Sequence, residues 1–146
     1  TDLLTGRPLR LDRAAAAGAA GGLGYGLLAL GARQVSGVDL VIETVGLRDL
    51  IADAALAVTG EGSLDWQSLQ GKVVAGVART ALEVATPSIA IAGQVLIGRR
   101  DAMSLGLSGT YALAERPDQV DAVMLDPVAA LEARAARVAR TWSPPR

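Results

Sequence analysis

Ala54-Ala-Leu-Ala-Val58, Lys72-Val-Val-Ala-Gly-Val-Ala-Arg-Thr-Ala-Leu-Glu83 and Ser88-Ile-Ala-Ile-Ala92 decide the fold. The first and last are short, continuous apolar runs, the pattern of strands buried on both faces, and the longer middle segment has helical length. Strand, helix and strand in this order predict a β-α-β unit with parallel strands. Downstream the pattern continues with a short helix near Arg99 to Leu105 and a strand near Gly109 to Leu113. A terminal helix follows from Pro127 to Arg140, with Asp126 as its N-cap. Upstream, Ala14 to Leu30 is rich in Ala and Leu and reads as a helix, weakened by Gly18, Gly21, Gly22, Gly24 and Gly26. Val38-Asp-Leu-Val-Ile42 is short enough to be a strand or the start of a helix. The alternation predicts an α/β fold, a parallel Rossmann-like sheet with helices on both faces.

The 146 residues suffice for a single α/β unit over 1–146, with a frayed tail at 143–146. Hydrophobic residues make up 51% of the chain but Phe is absent and Trp and Tyr number two each, so the core is built from Ala, Leu, Val and Ile. There is no cysteine and no histidine. Disulfides, thiolate metal sites and Ser-His-Asp or Cys-His catalysis within the chain are thereby excluded. A net charge of −1 with scattered basic residues offers no phosphate-backbone footprint, so no nucleic-acid partner is expected. The one long uncharged run, Ala14 to Ala32, is too rich in glycine and too amphipathic in setting to read as a membrane span of roughly 18–20 residues. Thr1-Asp2-Leu3-Leu4 lacks a basic leader and an apolar core, and the expectation is a cytoplasmic protein.

The chemistry is expected in Thr59-Gly-Glu-Gly-Ser-Leu-Asp-Trp-Gln-Ser-Leu-Gln-Gly-Lys72, which follows the first apolar run and ends on the only lysine; the other thirteen basic residues are arginine. Ligands of open parallel sheets bind beyond the carboxyl ends of strands, where Thr59 to Asp65 falls if the strand ends at Val58. There Gly60 and Gly62 let the backbone turn and approach a ligand. Glu61 and Asp65 supply oxygen ligands for Mg²⁺, or orient or deprotonate a hydroxyl. Gly71-Lys72 opens the next helix, whose free N–H groups and dipole favour a phosphate or carboxylate. The run is not a Walker A loop, which requires a glycine five residues before the Gly-Lys and Ser or Thr after it; Trp66 and Val73 stand there. The competing reading is an ordinary strand-to-helix loop in which Asp65 or Ser68 caps the helix and Lys72 is a solvated charge.

Gly18-Ala-Ala-Gly-Gly-Leu-Gly-Tyr-Gly26 does not fit G-x-G-x-x-G, and on pattern alone close helix packing explains it better than a phosphate loop. Gln94 reads as part of a turn able to add an amide contact, Arg99-Arg100 as a solvated helix start, and Trp66 as a packing anchor for the loop.

Gly18-Ala-Ala-Gly-Gly-Leu-Gly24, Gly37-Val-Asp-Leu-Val41, and Thr59-Gly-Glu-Gly with Asp65, Gln67, Gly71-Lys72 and Gly76-Val-Ala78 together resemble the C-terminal part of the bacterial, type 1 glycerate kinases. The resemblance covers roughly residues 14 to 140 and is most specific over Thr59 to Ala78. It implies part of a larger two-domain kinase fold that uses ATP and Mg²⁺ to phosphorylate glycerate in the cleft between domains. It also implies a missing N-terminal portion of the same enzyme and allows a homo-oligomer. On this chain it implies Asp65, Lys72 and Glu61 as catalytic, with Glu61 and Asp65 as metal ligands. Gly21, Gly22, Gly24, Thr59, Gly60 and Gly62 would lie at the cofactor, and Gln67, Ser68 and Gly71 at the substrate. Ser63 stands where the family commonly has arginine, and Val74 where it commonly has proline.

Two other functions compete. A non-catalytic α/β module binding a small anionic metabolite would also use Lys72, and a nicotinamide oxidoreductase would use a similar sheet, although G-x-G-x-x-G is missing.

Overall fold

A computed structural model describes residues 10–69 and 71–143. The chain divides into two compact units, Thr1–Ser36 and Gly37–Arg146.

In the first unit the long helix expected over Ala14 to Leu30 is replaced by short 3-10 turns and one brief helix, α1 (Leu23–Ala29). Ala20, Gly21 and Gly22 all adopt positive φ ahead of it, which a right-handed helix cannot contain. The glycines that weakened the helix reading end it altogether.

The second unit holds helices α2 (Gly37–Thr44) and α3 (Leu47–Ala52), then strand β1 (Ala57–Leu64), helix α4 (Val73–Glu83) and strand β2 (Ser88–Val95). Helix α5 (Arg99–Ser104), strand β3 (Gly109–Ala112), and helices α6 (Val120–Leu125) and α7 (Pro127–Trp142) complete it. Val38 to Ile42 is thus helical, its apolar residues spaced to cover α4. The three strands form a parallel sheet in the order β1-β2-β3, the α/β sheet expected from the alternating pattern.

Helix α4 buries Val74 and Ala78 against Leu64 of β1 and Ala90 and Ala92 of β2, and Ala102 and Leu107 extend this core toward β3. A second cluster joins Ile51 of α3, Ala57 and Ala81. Small side chains dominate both clusters, so helices and sheet approach closely, as a core without phenylalanine requires. Gly76 carries this furthest: a Cβ there would lie 2.6 Å from a Val38 methyl of α2. On the opposite face of the sheet, Ile91 shares a recess with Val123 of α6 and Leu131 of α7. Asp126 accepts a hydrogen bond from the Ala129 N–H at 3.1 Å and caps α7. At the far end of α7 the Trp142 indole N–H donates to the Tyr111 hydroxyl of β3 at 2.7 Å. Beyond Ser143, the tail expected to fray lies outside the described residues.

One boundary differs in a way that moves the chemistry. The first strand was expected at Ala54 to Val58, but residues 54–56 form a turn after α3 and the strand runs from Ala57 to Leu64. Thr59, Gly60, Glu61 and Gly62 are therefore strand residues, not loop residues. Pairing at a constant offset, from Ala57 with Ser88 to Leu64 with Val95 and skipping Gly62, engages the β2-facing edge of the extended backbone. The glycines serve this pairing. A Cβ on Gly60 would collide with the Ile91 carbonyl oxygen, and one on Gly93 with that of Gly62. For the same reason Gly93 and Gln94 continue β2 instead of ending it.

Candidate functional site

The shifted strand places its carboxyl end at Leu64, so the crevice of the parallel sheet begins at Asp65. Asp65 organises the connection that follows. Its Oδ1 accepts from the Gln67 N–H at 2.8 Å and the Ser68 N–H at 3.1 Å, closing the 3-10 turn Trp66–Leu69. Ser68 is fully buried beneath it, its hydroxyl shared between the Ser63 carbonyl and Asp65 Oδ1, both at 3.3 Å. Ser68 thus holds the turn from inside, and Asp65 caps the turn, not the helix. Trp66 does not anchor the loop, because it is 62% exposed.

Gly71 then takes φ +87°, a left-handed conformation that redirects the chain into α4 and that glycine adopts without strain. Lys72 is the N-cap of α4 in extended conformation, and its side chain makes no capping hydrogen bond. The first-turn N–H groups have no acceptor within the helix and point with its dipole out of that end. Lys72 Nζ lies 4.0 Å from Asp65 Oδ1, with the lysine side chain 46% exposed. A cation and a helix N-terminus therefore converge at one point beyond β1.

Glu61 arrives from the strand. It pairs with Ala92, which faces α4 in the core, so the register puts Glu61 on the α4 side of β1. Its Oε1 is shut off from solvent and has no hydrogen-bond partner among the described residues. Such an oxygen is costly unless a ligand brings a donor or a cation to it. Glu61, Gly60, Gly71 and Lys72 line one recess of about 630 Å³ with Val38, Val41 and Ile42 of α2, Leu47 of α3, and Val73 and Val77 of α4.

The structure thus gathers Glu61, Gly60, Gly71 and Lys72 around one recess and sets Asp65 beside Lys72. Thr59, Gly60, Glu61 and Gly62 all border a second recess as well, over the other face of the sheet. Gly21, Gly22 and Gly24 belong to the first unit, where Gly21 and Gly22 take positive φ and Gly24 leaves no room for a Cβ against the Ala16 carbonyl. Among the described residues no three His, Cys, Asp or Glu side chains gather to hold a metal. One or two carboxylates are nonetheless the usual protein share of a Mg²⁺ site completed by water and phosphate, and Glu61 with its orphaned oxygen fits that share. The sequence reading missed the apolar walls of the recess. The signal lay in Val38, Val41 and Ile42, whose spacing forms one helical stripe.

Comparison with known proteins bears on the same residues. The model of the glycerate kinase family matches residues 4–143. The chain is 39% identical over 130 residues to a glycerate kinase of Halalkalibacterium halodurans, covering 87% of this chain and 34% of that protein. It is 48% identical over 80 residues to the glycerate 2-kinase of Escherichia coli K12, covering 54% of this chain and 21% of that one. A crystal structure of a protein assigned as glycerate kinase 2 from Salmonella typhimurium LT2 superposes with a TM-score of 0.53 at 30% identity, over 86% of this chain and 32% of that chain. The chain therefore spans about a third or less of the length of these relatives. By a match that runs through the sheet, the Asp65 turn and Lys72, the chain belongs to the glycerate kinase family.

Proposed function

We propose that this chain contributes part of the active site of an ATP-dependent kinase that phosphorylates a hydroxyl of glycerate. The observation carrying the reading is the convergence of Lys72, the N-terminus of α4 that it begins and the Asp65 carboxylate at the carboxyl end of β1. Phosphoryl transfer asks for charge placement more than covalent chemistry, and a site without histidine can supply it. Lys72 and the first-turn N–H groups of α4 bind phosphate oxygens or the glycerate carboxylate. Asp65 and Glu61 are the carboxylates available to Mg²⁺ or to the attacking hydroxyl. Mg²⁺, when bound, neutralises charge on the transferring phosphoryl group. Gln67 and Gly71 flank the acceptor, and Ser68 acts through Asp65 by fixing its turn. Ser63 offers no guanidinium where the family commonly has one, so anion binding here leans more heavily on Lys72.

Isothermal titration with Mg-ATP and with D-glycerate, each against a Lys72→Met control, tests the proposal. Saturable binding of either ligand that the control loses supports it. Binding that survives unchanged in the control removes Lys72 from the site.

A further inference from the structure

We infer that the recess between α2, β1 and α4 takes the nucleoside part of the phosphoryl donor, with Glu61 accepting a hydrogen bond from it; this rests on the kinase reading above. The walls carry the inference. Glycerate is small, and nearly every heavy atom it presents is a hydroxyl or carboxylate oxygen or bears one. The recess is about 630 Å³ and lined by Val38, Val41, Ile42, Leu47, Val73 and Val77, with Glu61 and Lys72 the only charged side chains among the described residues that line it. Pockets of this size and lining suit a ligand with a flat apolar body and a few polar atoms.

The recess is also polarised along α4. Gly71 and Lys72 stand at the helix N-terminus, and Val77 lies five residues on, about 7–8 Å further along the axis at 1.5 Å per residue. That separation leaves a sugar's length between a phosphate held at Lys72 and a base against Val77, Leu47 and Ile42. Glu61 comes off β1 at the floor of the same recess, and its Oε1 lacks a donor among the described residues. A sugar hydroxyl or a ring amino group supplies one. The two carboxylates then separate in role: Glu61 faces the nucleoside, and Asp65, outside the recess and beside Lys72, remains for the phosphoryl end.

The test is a methyl NMR titration of the 146-residue chain with adenosine and, separately, with inorganic tripolyphosphate. Adenosine is expected to move the methyl signals of Val38, Val41, Leu47, Val73 and Val77 saturably and to leave those of Val58, Leu113 and Leu131 in place. Val41→Glu and Glu61→Ala are each expected to weaken adenosine binding at least about tenfold. Val41 is exposed, so its substitution should leave the circular dichroism spectrum unchanged. Tripolyphosphate binding should fall in Lys72→Met and persist in Val41→Glu. No adenosine binding, shifts confined to the opposite face, or full binding by Val41→Glu overturns the nucleoside assignment while leaving the kinase reading standing. Tripolyphosphate binding indifferent to Lys72→Met counts against the kinase reading itself.

Discussion

Lys72 Nζ stands 4.0 Å from Asp65 Oδ1, the same oxygen that receives the Gln67 and Ser68 N–H groups. The acid is thus fixed by its own turn, and the lysine, nearly half exposed, is drawn toward a point the fold has already set. An exposed pair at this distance contributes roughly 0–1 kcal/mol to stability. Lys72→Met should therefore shift the urea midpoint little. In a family-length enzyme it should lower turnover at least ~100-fold if the ammonium stabilises the transition state. A variant that unfolds, or that turns over normally, would make Lys72 structural or incidental.

Asp65 separates into two functions that substitution can resolve. Asparagine keeps an oxygen to accept the Gln67 and Ser68 N–H groups but loses the charge, while alanine loses both. Asp65→Ala is expected to cost about 1 kcal/mol, as loss of a capping acceptor does, and Asp65→Asn much less. Both should reduce phosphoryl transfer if the charge is required. Equal denaturation midpoints for the two variants would contradict the turn geometry.

Gly60 and Gly62 differ by one pleat of β1 and by what a methyl group would meet. At Gly60 it would strike the Ile91 carbonyl of β2, whereas at Gly62 nothing lies within 4 Å. Gly60→Ala is expected to destabilise by about 1–3 kcal/mol through forced strand separation, with Gly62→Ala within about 1 kcal/mol of the parent. Thermal unfolding of the two single variants decides it, and comparable losses would mean the strand approach is not the constraint.

The β-α-β unit was legible because Ser88 to Ala92 and Lys72 to Glu83 carry periodicities that burial alone imposes. The strand holding Glu61 was not, because its alternation is written in glycine, threonine, glutamate and serine, residues that sequence reading assigns to loops. Only pairing with β2 shows that Gly60 serves strand contact. The recess was invisible for a related reason. Its wall is the apolar stripe Val38, Val41 and Ile42, which reads equally well as core or as strand until α2 is seen against α4. Lys72, by contrast, stood out by composition, and the turn of Asp65 and Ser68 brings the two sites together.

Glu115 gives a pH signature away from the site. The Arg134 hydrogen bond, and then Arg134's charge, hold the Glu115 carboxyl below its ordinary value, with smaller help from Arg137 and Arg116. A depressed folded-state value means the contribution is present at neutral pH and lost as pH falls through the carboxylate range. The arginine makes this matter. Its side chain is only 14% exposed, and its Nε has no acceptor among the described residues, so Glu115 is the partner that keeps this guanidinium compensated. Glu115→Gln should be less stable than the parent at pH 7 and should converge with it at an acid pH below the depressed Glu115 value. Urea midpoints at the two pH values read this directly. A gap that persists at acid pH would assign the effect to shape instead of charge.

The face opposite α4 bears on association. Val58, Ile91, Leu113, Val123, Met124 and Leu131 line a recess of about 620 Å³ there, and beside it Met124 is 69% and Leu125 88% exposed. Among the described residues strand β1 has no neighbouring strand on its outer edge. An apolar face beside an unpaired strand edge is what soluble proteins ordinarily cover. The 146-residue chain is accordingly expected to self-associate at micromolar to millimolar concentration, and Met124→Lys with Leu125→Lys should shift it toward monomer without loss of helical signal. Sedimentation velocity over a concentration series measures this. A parent chain that stays monomeric throughout would show that this face is tolerated in water, and that its apolar character serves the interior of the recess rather than a contact across it.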